Sequence, residues 1–206
     1  IVEEVGRLYG YEHISPAHIS PASHVEINTP HYVSMIIRNT LIACGFSEIY
    51  TYSFVPQGYI EIENPLASDK NFLRKNLADA MAYSLEYNFK FLDLLGIKEV
   101  KMFEIGTVFN KEGESLHLSL GAKFPKSKQS HVSDEEVVKA IRAIEEALHV
   151  SIGDISVVGG IAEIDLQKIL HEVKIPEKYP SFDASILPVE YKTISPYPFA
   201  VRDIAV

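Results

Sequence analysis

The feature that most limits the fold of this chain is a pair of strand-like segments close together in sequence. Residues 100–109 are rich in β-branched and aromatic residues, and a polar turn containing glycine separates them from residues 116–124. Apolar side chains occupy every second position of the later segment, at Leu116, Leu118, Leu120, Ala122 and Phe124. Because side chains alternate between the two faces of a strand, this pattern predicts a β-hairpin with one buried face.

Three helices are predicted around the hairpin. The first has Thr29 as its N-cap, Pro30 as its first helical residue and Gly45 as its left-handed C-cap. Its apolar stripe consists of Val33, Ile36, Ile37 and Leu41. The second helix carries apolar residues at four-residue spacing, at Leu77, Met81 and Leu85.

The third helix has the clearest local pattern. Ser133 and Glu136 predict a capping box, in which each side chain binds a backbone N–H of the other residue. Glu135 and Lys139 are spaced for an i,i+4 ion pair. Its inward-facing residues are Val137, Ile141, Ile144 and Leu148. Additional elements are predicted as strands at 49–55 and 155–164, a short helix at 166–171 and a partly extended tail at 191–206.

Strands and helices therefore interleave without the strict order of a βαβ fold, and an α+β fold with a mostly antiparallel sheet flanked by helices fits better. Of the 206 residues 47% are hydrophobic, but no run reaches the ~18 apolar residues that a membrane span requires. A single cysteine, Cys44, excludes an internal disulfide and any multi-cysteine zinc site. The net charge of −9 argues against nucleic-acid binding by this piece alone.

The N-terminal part of the chain indicates a domain boundary. Residues 1–11 have apolar side chains at helical spacing, and the next stretch contains Pro16, Pro21 and Pro30 among polar residues, which is typical of a linker. The chain starts with Ile1 and has no signal segment. We therefore expect it to be an excerpt of a longer polypeptide.

Recognisable catalytic motifs are missing from the sequence. It has no phosphate-binding glycine loop and no serine or cysteine triad, and Gly159–Gly160 indicates a bulge or tight packing. Four of the eight histidines crowd the N-terminal part, at His13, His18, His24 and His31. Without metal-binding spacing, they are interpreted as solvated linker residues.

Two charged positions are candidate binding sites. Glu3 and Glu4 could bind a hard cation such as Mg²⁺ together with a further acid, and the alternative is a solvated helix start with favourable acids in its first turn. Arg74, beside Lys75 near the predicted start of the second helix, could bind an anion. The alternative is a surface arginine that covers the loop before it.

Five strings of the sequence, in order, resemble the β subunits of bacterial phenylalanine–tRNA ligase. They are IVEEVGRLYGYEHI, GFSEIYTYSFV, IENPLASDKNFLRKNLADAMAYSLEYN, KMFEIGTVF and ISPYPFAVRDIAV. The resemblance implies the end of a small domain (1–14), a linker (15–29), a core like that of class II aminoacyl-tRNA synthetases (30–190), and the start of a ferredoxin-like anticodon-binding domain (191–206).

The resemblance also implies a function. The β subunit would join an α subunit in an α2β2 heterotetramer that attaches phenylalanine to its tRNA in the cytoplasm. The α subunit would bind ATP, and neighbouring domains would contact tRNA. Glu3 and Glu4 match acids that the family uses, with earlier aspartates, for a Mg²⁺ shared with the α subunit. The apolar stripe of the first core helix is expected to pack against partner chains.

The matching strings depart from what class II catalysis requires. An arginine in a hairpin strand holds the ATP phosphate, but residues 106–110 contain none. A late glycine-rich strand ending in arginine is also missing, and Arg202 lies in the anticodon-domain part. The late turn reads GIAEI at 160–164 where the family often has Gly-x-x-His-Pro. We therefore expect a non-catalytic assembly role. The alternatives are a free-standing paralogue that binds or regulates, and an independent small-molecule enzyme.

Overall fold

The structure, a computed structural model, describes residues 1–18, 26–67, 69–125 and 131–179, together with residues 191, 193 and 197. The helices are α1 (Val2–Tyr9), α2 (Thr29–Ala43), α3 (Ala78–Phe89), α4 (Leu92–Leu95) and α5 (His131–Leu148). The strands are β1 (Ser47–Glu48), β2 (Phe54–Val55), β3 (Phe72–Leu73), β4 (Val100–Asn110), β5 (Gly113–Lys123) and β6 (Ile161–Asp165). Two short 3-10 helices lie at Tyr11–His13 and Leu166–Lys168.

A four-stranded sheet in the order β1-β4-β5-β6 forms the centre of the fold. Strand β1 runs parallel to β4, whereas the β4–β5 and β5–β6 pairs are antiparallel. The hairpin is closed by Asn110, whose side-chain oxygen accepts hydrogen bonds from the backbone N–H groups of Glu112 and Gly113. The predicted α+β fold with a mostly antiparallel sheet flanked by helices is confirmed.

Helices α2 and α5 pack together over one face of the sheet and form the main core. Val33, Ile37 and Leu41 of α2 have no exposed surface, because they contact this core. The expectation that the α2 stripe packs against partner chains is therefore wrong for these three residues. The apolar stripe predicted for α5 is buried as expected.

Helix α3 covers the opposite face of the sheet. Met81 and Leu85 lie against Gly121, where a Cβ atom would collide with both side chains. Ser119, which alternation assigned to the polar face, is fully buried. The hairpin is thus buried on both faces, and the prediction of one buried face was wrong because alternation cannot reveal a helix that packs on the polar side.

Both predicted helix starts differ in detail. The N-cap of α2 is Asn28 rather than Thr29, and its side-chain oxygen accepts the His31 backbone N–H at 2.9 Å. Helix α5 begins at His131, so Ser133 lies inside the helix and the capping box does not form.

The ion pair of α5 also differs from the prediction. Lys139 binds Glu136, at an Nζ–Oε1 distance of 2.8 Å, in place of Glu135. The C-cap of helix α2 lies one residue before the predicted one: Cys44 is the C-cap, and Gly45, which follows it, has the predicted left-handed conformation with a φ of 82°.

The predicted strands at 49–55 and 155–164 are shorter in the structure. Of the first, only Phe54–Val55 forms a strand, β2, and the second begins only at Ile161, after a turn in which Gly159 and Gly160 have φ angles of 62° and 77°. A Cβ atom at Gly160 would collide with the Ala122 carbonyl, which confirms the tight packing predicted for this pair. The short helix predicted at 166–171 is a 3-10 helix followed by turns.

Helix α1 has no buried residue. None of the helices in the described ranges is both long and apolar enough to cross a membrane. Most of the predicted tail at 191–206, and its boundary at residue 190, lie outside the described residues.

Candidate functional site

The sheet face beneath α3 contains a buried ion pair between Arg74 and Glu104. Their Nη1 and Oε1 atoms are 2.6 Å apart, and only 8% and 2% of the two side chains are exposed. Arg74 reaches this position from the segment between β3 and α3, and its Nε donates a second hydrogen bond to the Thr107 carbonyl at 2.8 Å. The guanidinium therefore joins this segment to strand β4.

Thr51 and Gly106 complete the surroundings of the ion pair. The Thr51 hydroxyl donates to Oε2 of Glu104 at 2.7 Å, and its backbone N–H donates to Oε1 at 3.2 Å. A Cβ atom at Gly106 would overlap Nη2 of Arg74. Glycine is needed here because the guanidinium packs directly on the strand backbone.

Glu163 of β6 ties the sheet to the start of α3. Its Oε2 accepts the backbone N–H groups of Leu77 and Ala78 at 3.0 and 2.8 Å. Its Oε1 lies 2.7 Å from Nδ1 of His117 on β5. Because the first N–H groups of a helix lack intrahelical acceptors and carry partial positive charge, a carboxylate there stabilises the helix.

The strand register brings these groups together on one face. His117 pairs with Gly106 on one side and with Asp165 on the other. Nε2 of His117 lies 3.8 Å from an oxygen of Asp165, which also accepts the Ser115 hydroxyl at 2.8 Å. We call Arg74, Glu104, His117, Glu163 and Asp165 the polar cluster.

The polar cluster is built to hold the sheet, α3 and the preceding segment together. Each of its charged groups has a partner within the cluster, and α3 covers much of this face. In the part of the chain that the structure describes, no group of three or more histidine, cysteine or acidic residues is arranged to hold a metal ion.

Residues 20–158 match the sequence model of a protein family described as the phenylalanyl tRNA synthetase beta chain CLM domain. This match covers more than half of the chain. The chain belongs to this family. The resemblance inferred from the five strings is thereby confirmed.

Individual relatives agree with the family match. The chain is 28% identical over 124 residues to the phenylalanine–tRNA ligase β subunit of Chlorobaculum tepidum, covering 56% of this chain and 15% of the relative. It is 31% identical over 127 residues to the β subunit of Gloeobacter violaceus, covering 59% of this chain and 16% of that one. The matched part thus corresponds to about one sixth of these subunits.

Solved structures of two tRNA synthetases are similar at a lower level. The chain of the pyrrolysyl tRNA synthetase PylSc from Desulfitobacterium hafniense has 19% identity and a TM-score of 0.47, covering 80% of this chain and 58% of that one. A histidine–tRNA ligase subunit from Alicyclobacillus acidocaldarius has 10% identity and a TM-score of 0.47, with coverages of 69% and 46%.

The structure places the two candidate binding sites that were predicted from the sequence in different environments, one exposed and one buried. Glu3 and Glu4 lie exposed in the first turn of α1, and Glu4 forms an ion pair with Arg7 at 2.8 Å. Arg74 is neither an exposed anion site nor a surface arginine. Both interpretations were wrong because α3 starts four residues later and the Arg74 side chain turns inward to Glu104.

Sequence reasoning missed Glu163 and His117, whose roles depend on contacts 86 and 46 positions apart in the sequence. The sequence offered one signal for Glu163. It is an acidic residue in the middle of a short segment that also contains Ile161, Ala162 and Ile164, and a carboxylate in such a strand needs a partner when another element covers the strand. The fold is therefore held together by long-range polar contacts as well as by its apolar core.

Proposed function

We propose that this chain is a structural and assembly part of a phenylalanine–tRNA ligase β subunit. An α subunit would bind ATP and attach phenylalanine to its tRNA, and two copies of each subunit would form a cytoplasmic α2β2 complex. Neighbouring domains of the β subunit would make the tRNA contacts. Membership in the β-chain family supports the assignment to this ligase.

The covered sheet face is the observation that supports a non-catalytic role. An arginine that stabilises a transferring phosphate must offer free donors to that phosphate. Arg74 lies on the sheet face, but its Nη1 and Nε donate to Glu104 and the Thr107 carbonyl, and the side chain is buried. A substrate would have to break this ion pair to engage the Nη1 group of Arg74.

Co-expression of the full-length chain with a phenylalanyl-type α subunit tests the proposal. We expect the two to co-elute, the complex to aminoacylate tRNA, and the β chain alone to form no aminoacyl-adenylate in ATP–pyrophosphate exchange. A full-length chain that never co-elutes with the α subunit and adds nothing to aminoacylation would contradict the assignment. Exchange activity of the β chain alone would contradict the non-catalytic role.

A conservative variant sharpens the test of the non-catalytic role. His117→Gln keeps a polar side chain beside Glu163 but removes the imidazole ring. In the assembled complex we expect kcat to be unchanged once the variant is shown to be folded. A large fall in kcat with unchanged stability and unchanged co-elution would indicate that His117 takes part in chemistry.

We further propose that Glu3 and Glu4 contribute to a Mg²⁺ site shared with the α subunit. Carboxylate oxygens suit this ion, but adjacent helical residues point about 100° apart, so two alone are insufficient and further acids are needed. Mn²⁺ binding to the assembled complex, followed by electron paramagnetic resonance, tests this. We expect Glu3→Gln with Glu4→Gln to remove one bound ion per αβ pair, two per complex, and an unchanged ion count would refute the site.

The second candidate is a free-standing synthetase-like paralogue that acts as a binding or regulatory module. It predicts a folded β-like chain that neither binds the α subunit nor affects aminoacylation. The co-expression experiment separates the two candidates, because stable co-elution supports only the ligase subunit.

A further inference from the structure

A cavity lies between the start of α3 and the segment around β2, next to the buried Arg74. Its volume is about 340 Å³, at the lower end of the roughly 300–1,000 Å³ that is typical of small-molecule sites. Val55 and Pro56 supply apolar surface, whereas Arg74, Lys75 and Asp79 supply charged groups. An apolar wall with a few charged groups is the lining that small-molecule sites have.

One nitrogen of the Arg74 guanidinium is left without an acceptor. Nε donates to the Thr107 carbonyl and Nη1 donates to Glu104 and Thr51, but Nη2 has no acceptor among the described residues. Within the described ranges, every fully buried nitrogen or oxygen of a side chain has a hydrogen-bond partner. Nη2 is therefore not sealed from solvent, although only 8% of the side chain is exposed. Because Arg74 lines the cavity, the cavity is where this free donor meets solvent.

Positive charge around the cavity exceeds what the Arg74–Glu104 pair neutralises. Lys75 is exposed and forms no ion pair with any residue that the structure describes. Lys70 lies over the ring of Tyr52, another residue of the cavity wall, with Nζ 4.4 Å from the ring centroid. On a chain with a net charge of −9, this concentration of cations favours an anionic ligand.

The remaining lining residues select the class of anion. Asp79 is exposed at the cavity and would repel the second charge of a phosphate, whereas a carboxylate carries a single charge. Asn76 can contribute a donor, since its Oδ1 accepts the Asp79 backbone N–H at 3.1 Å and its Nδ2 amino group remains. Val55, Pro56 and the Tyr52 ring offer apolar surface to the rest of the ligand.

We propose that this cavity binds a small organic carboxylate with a compact apolar group, whose carboxylate accepts a hydrogen bond from Nη2 of Arg74 and lies near Lys75. Hydrogen bonds between charged groups are the strong ones, so this contact fixes the orientation of the ligand. The site is distinct from the N–H groups that begin α3, because Glu163 already accepts those of Leu77 and Ala78. It is a binding site only and does not depend on the ligase assignment.

Isothermal titration calorimetry of the full-length chain tests the class of ligand, with benzoate as the probe. Benzamide has nearly the same shape without the charge, and we expect it to bind at least about 10-fold more weakly because it loses the charge-assisted hydrogen bond. Inorganic phosphate should not compete with benzoate. No binding of benzoate would overturn the proposal, and so would equal binding of benzamide or displacement by phosphate.

Variants of the cavity wall test the location. Lys75→Glu reverses a charge at the cavity and should weaken benzoate binding at least about 10-fold, whereas Lys98→Glu changes an exposed lysine outside the cavity and should leave it unchanged. Ala80→Leu fills the cavity from a helix position that suits leucine and should abolish binding. Arg74→Lys keeps a cation beside Glu104 but removes Nη2, and it should also weaken binding.

Urea unfolding of each variant confirms that it is folded before binding is measured. Benzoate binding that survives both Lys75→Glu and Ala80→Leu would place the ligand elsewhere and overturn the proposal. Such a result would leave co-elution with the α subunit and aminoacylation unaffected, so failure of this site is distinguishable from failure of the proposed function.

Discussion

Arg74 and Glu104 form an ion pair of 2.6 Å in which both side chains are more than nine-tenths buried. The two residues are 30 positions apart, and their pairing joins the segment before α3 to the middle of the sheet. Two charges removed from water are tolerated only when each satisfies the other. This relationship makes the polar cluster sensitive to single substitutions.

Breaking the pair from one side should be strongly destabilising. Arg74→Met leaves the Glu104 carboxylate buried without its cation, and the expected loss is about 3–5 kcal/mol in the free energy of unfolding. The double variant Arg74→Met with Glu104→Met should lose less than the sum of the single variants. Urea unfolding followed by circular dichroism measures all three, and additive losses would show that the pair is not coupled.

Gly106 should not tolerate a side chain. Gly106→Ala places a Cβ atom where Nη2 of Arg74 lies, so the guanidinium must move, at an expected cost of about 1–3 kcal/mol. Gly6→Ala is the matched control, since the nearest atom to its new Cβ is 3.5 Å away on an exposed helix. Equal thermal stability of Gly106→Ala and the parent chain would contradict the close approach.

Removing the carboxylate that caps α3 should loosen this helix. Glu163→Ala leaves the Leu77 and Ala78 N–H groups without their acceptor, and the expected loss is about 0.5–2 kcal/mol, as for other helix caps. Amide hydrogen exchange should accelerate in α3 more than in α5. Glu112→Ala, an exposed glutamate at the hairpin turn, serves as control. Uniform acceleration across both helices would instead indicate global unfolding.

The Glu136–Lys139 pair predicts a small pH dependence of stability. The hydrogen bond from Lys139 is the main reason why the pKa of the Glu136 carboxyl group is below its ordinary value of 4.5. A carboxyl group whose pKa is lowered on folding stabilises the protein above its unfolded pKa, and this contribution disappears as the pH falls through the folded pKa.

Glu136→Gln should therefore be less stable than the parent chain at pH 7, and the difference should vanish in strongly acidic solution. Denaturant unfolding across the acidic range measures it. On the basic side, the hydrogen bond to Glu136 raises the pKa of Lys139, so its contribution is lost only as the pH rises above 10.5. A difference that persists at acid pH would contradict the ion-pair origin.

Periodicity identified the long hairpin, the three main helices and the apolar residues that α2 and α5 contribute to the core. These features were predictable because each results from neighbouring residues, through alternation in a strand or the helical repeat. Helix boundaries were less predictable. The cap of α2 shifted from Thr29 to Asn28, and α5 began before its predicted capping box, because several residues in each stretch can cap or start a helix.

The amino-acid sequence by itself determined the α+β class, the hairpin and the family to which the chain belongs. Only the tertiary structure decided that α3 covers the polar face of the hairpin, that Arg74 turns inward to Glu104, and that Glu163 caps α3. These outcomes depend on contacts between residues 30 to 86 positions apart. A buried charge carries no periodic signal, and its partner is identified only when the packed elements bring the two together.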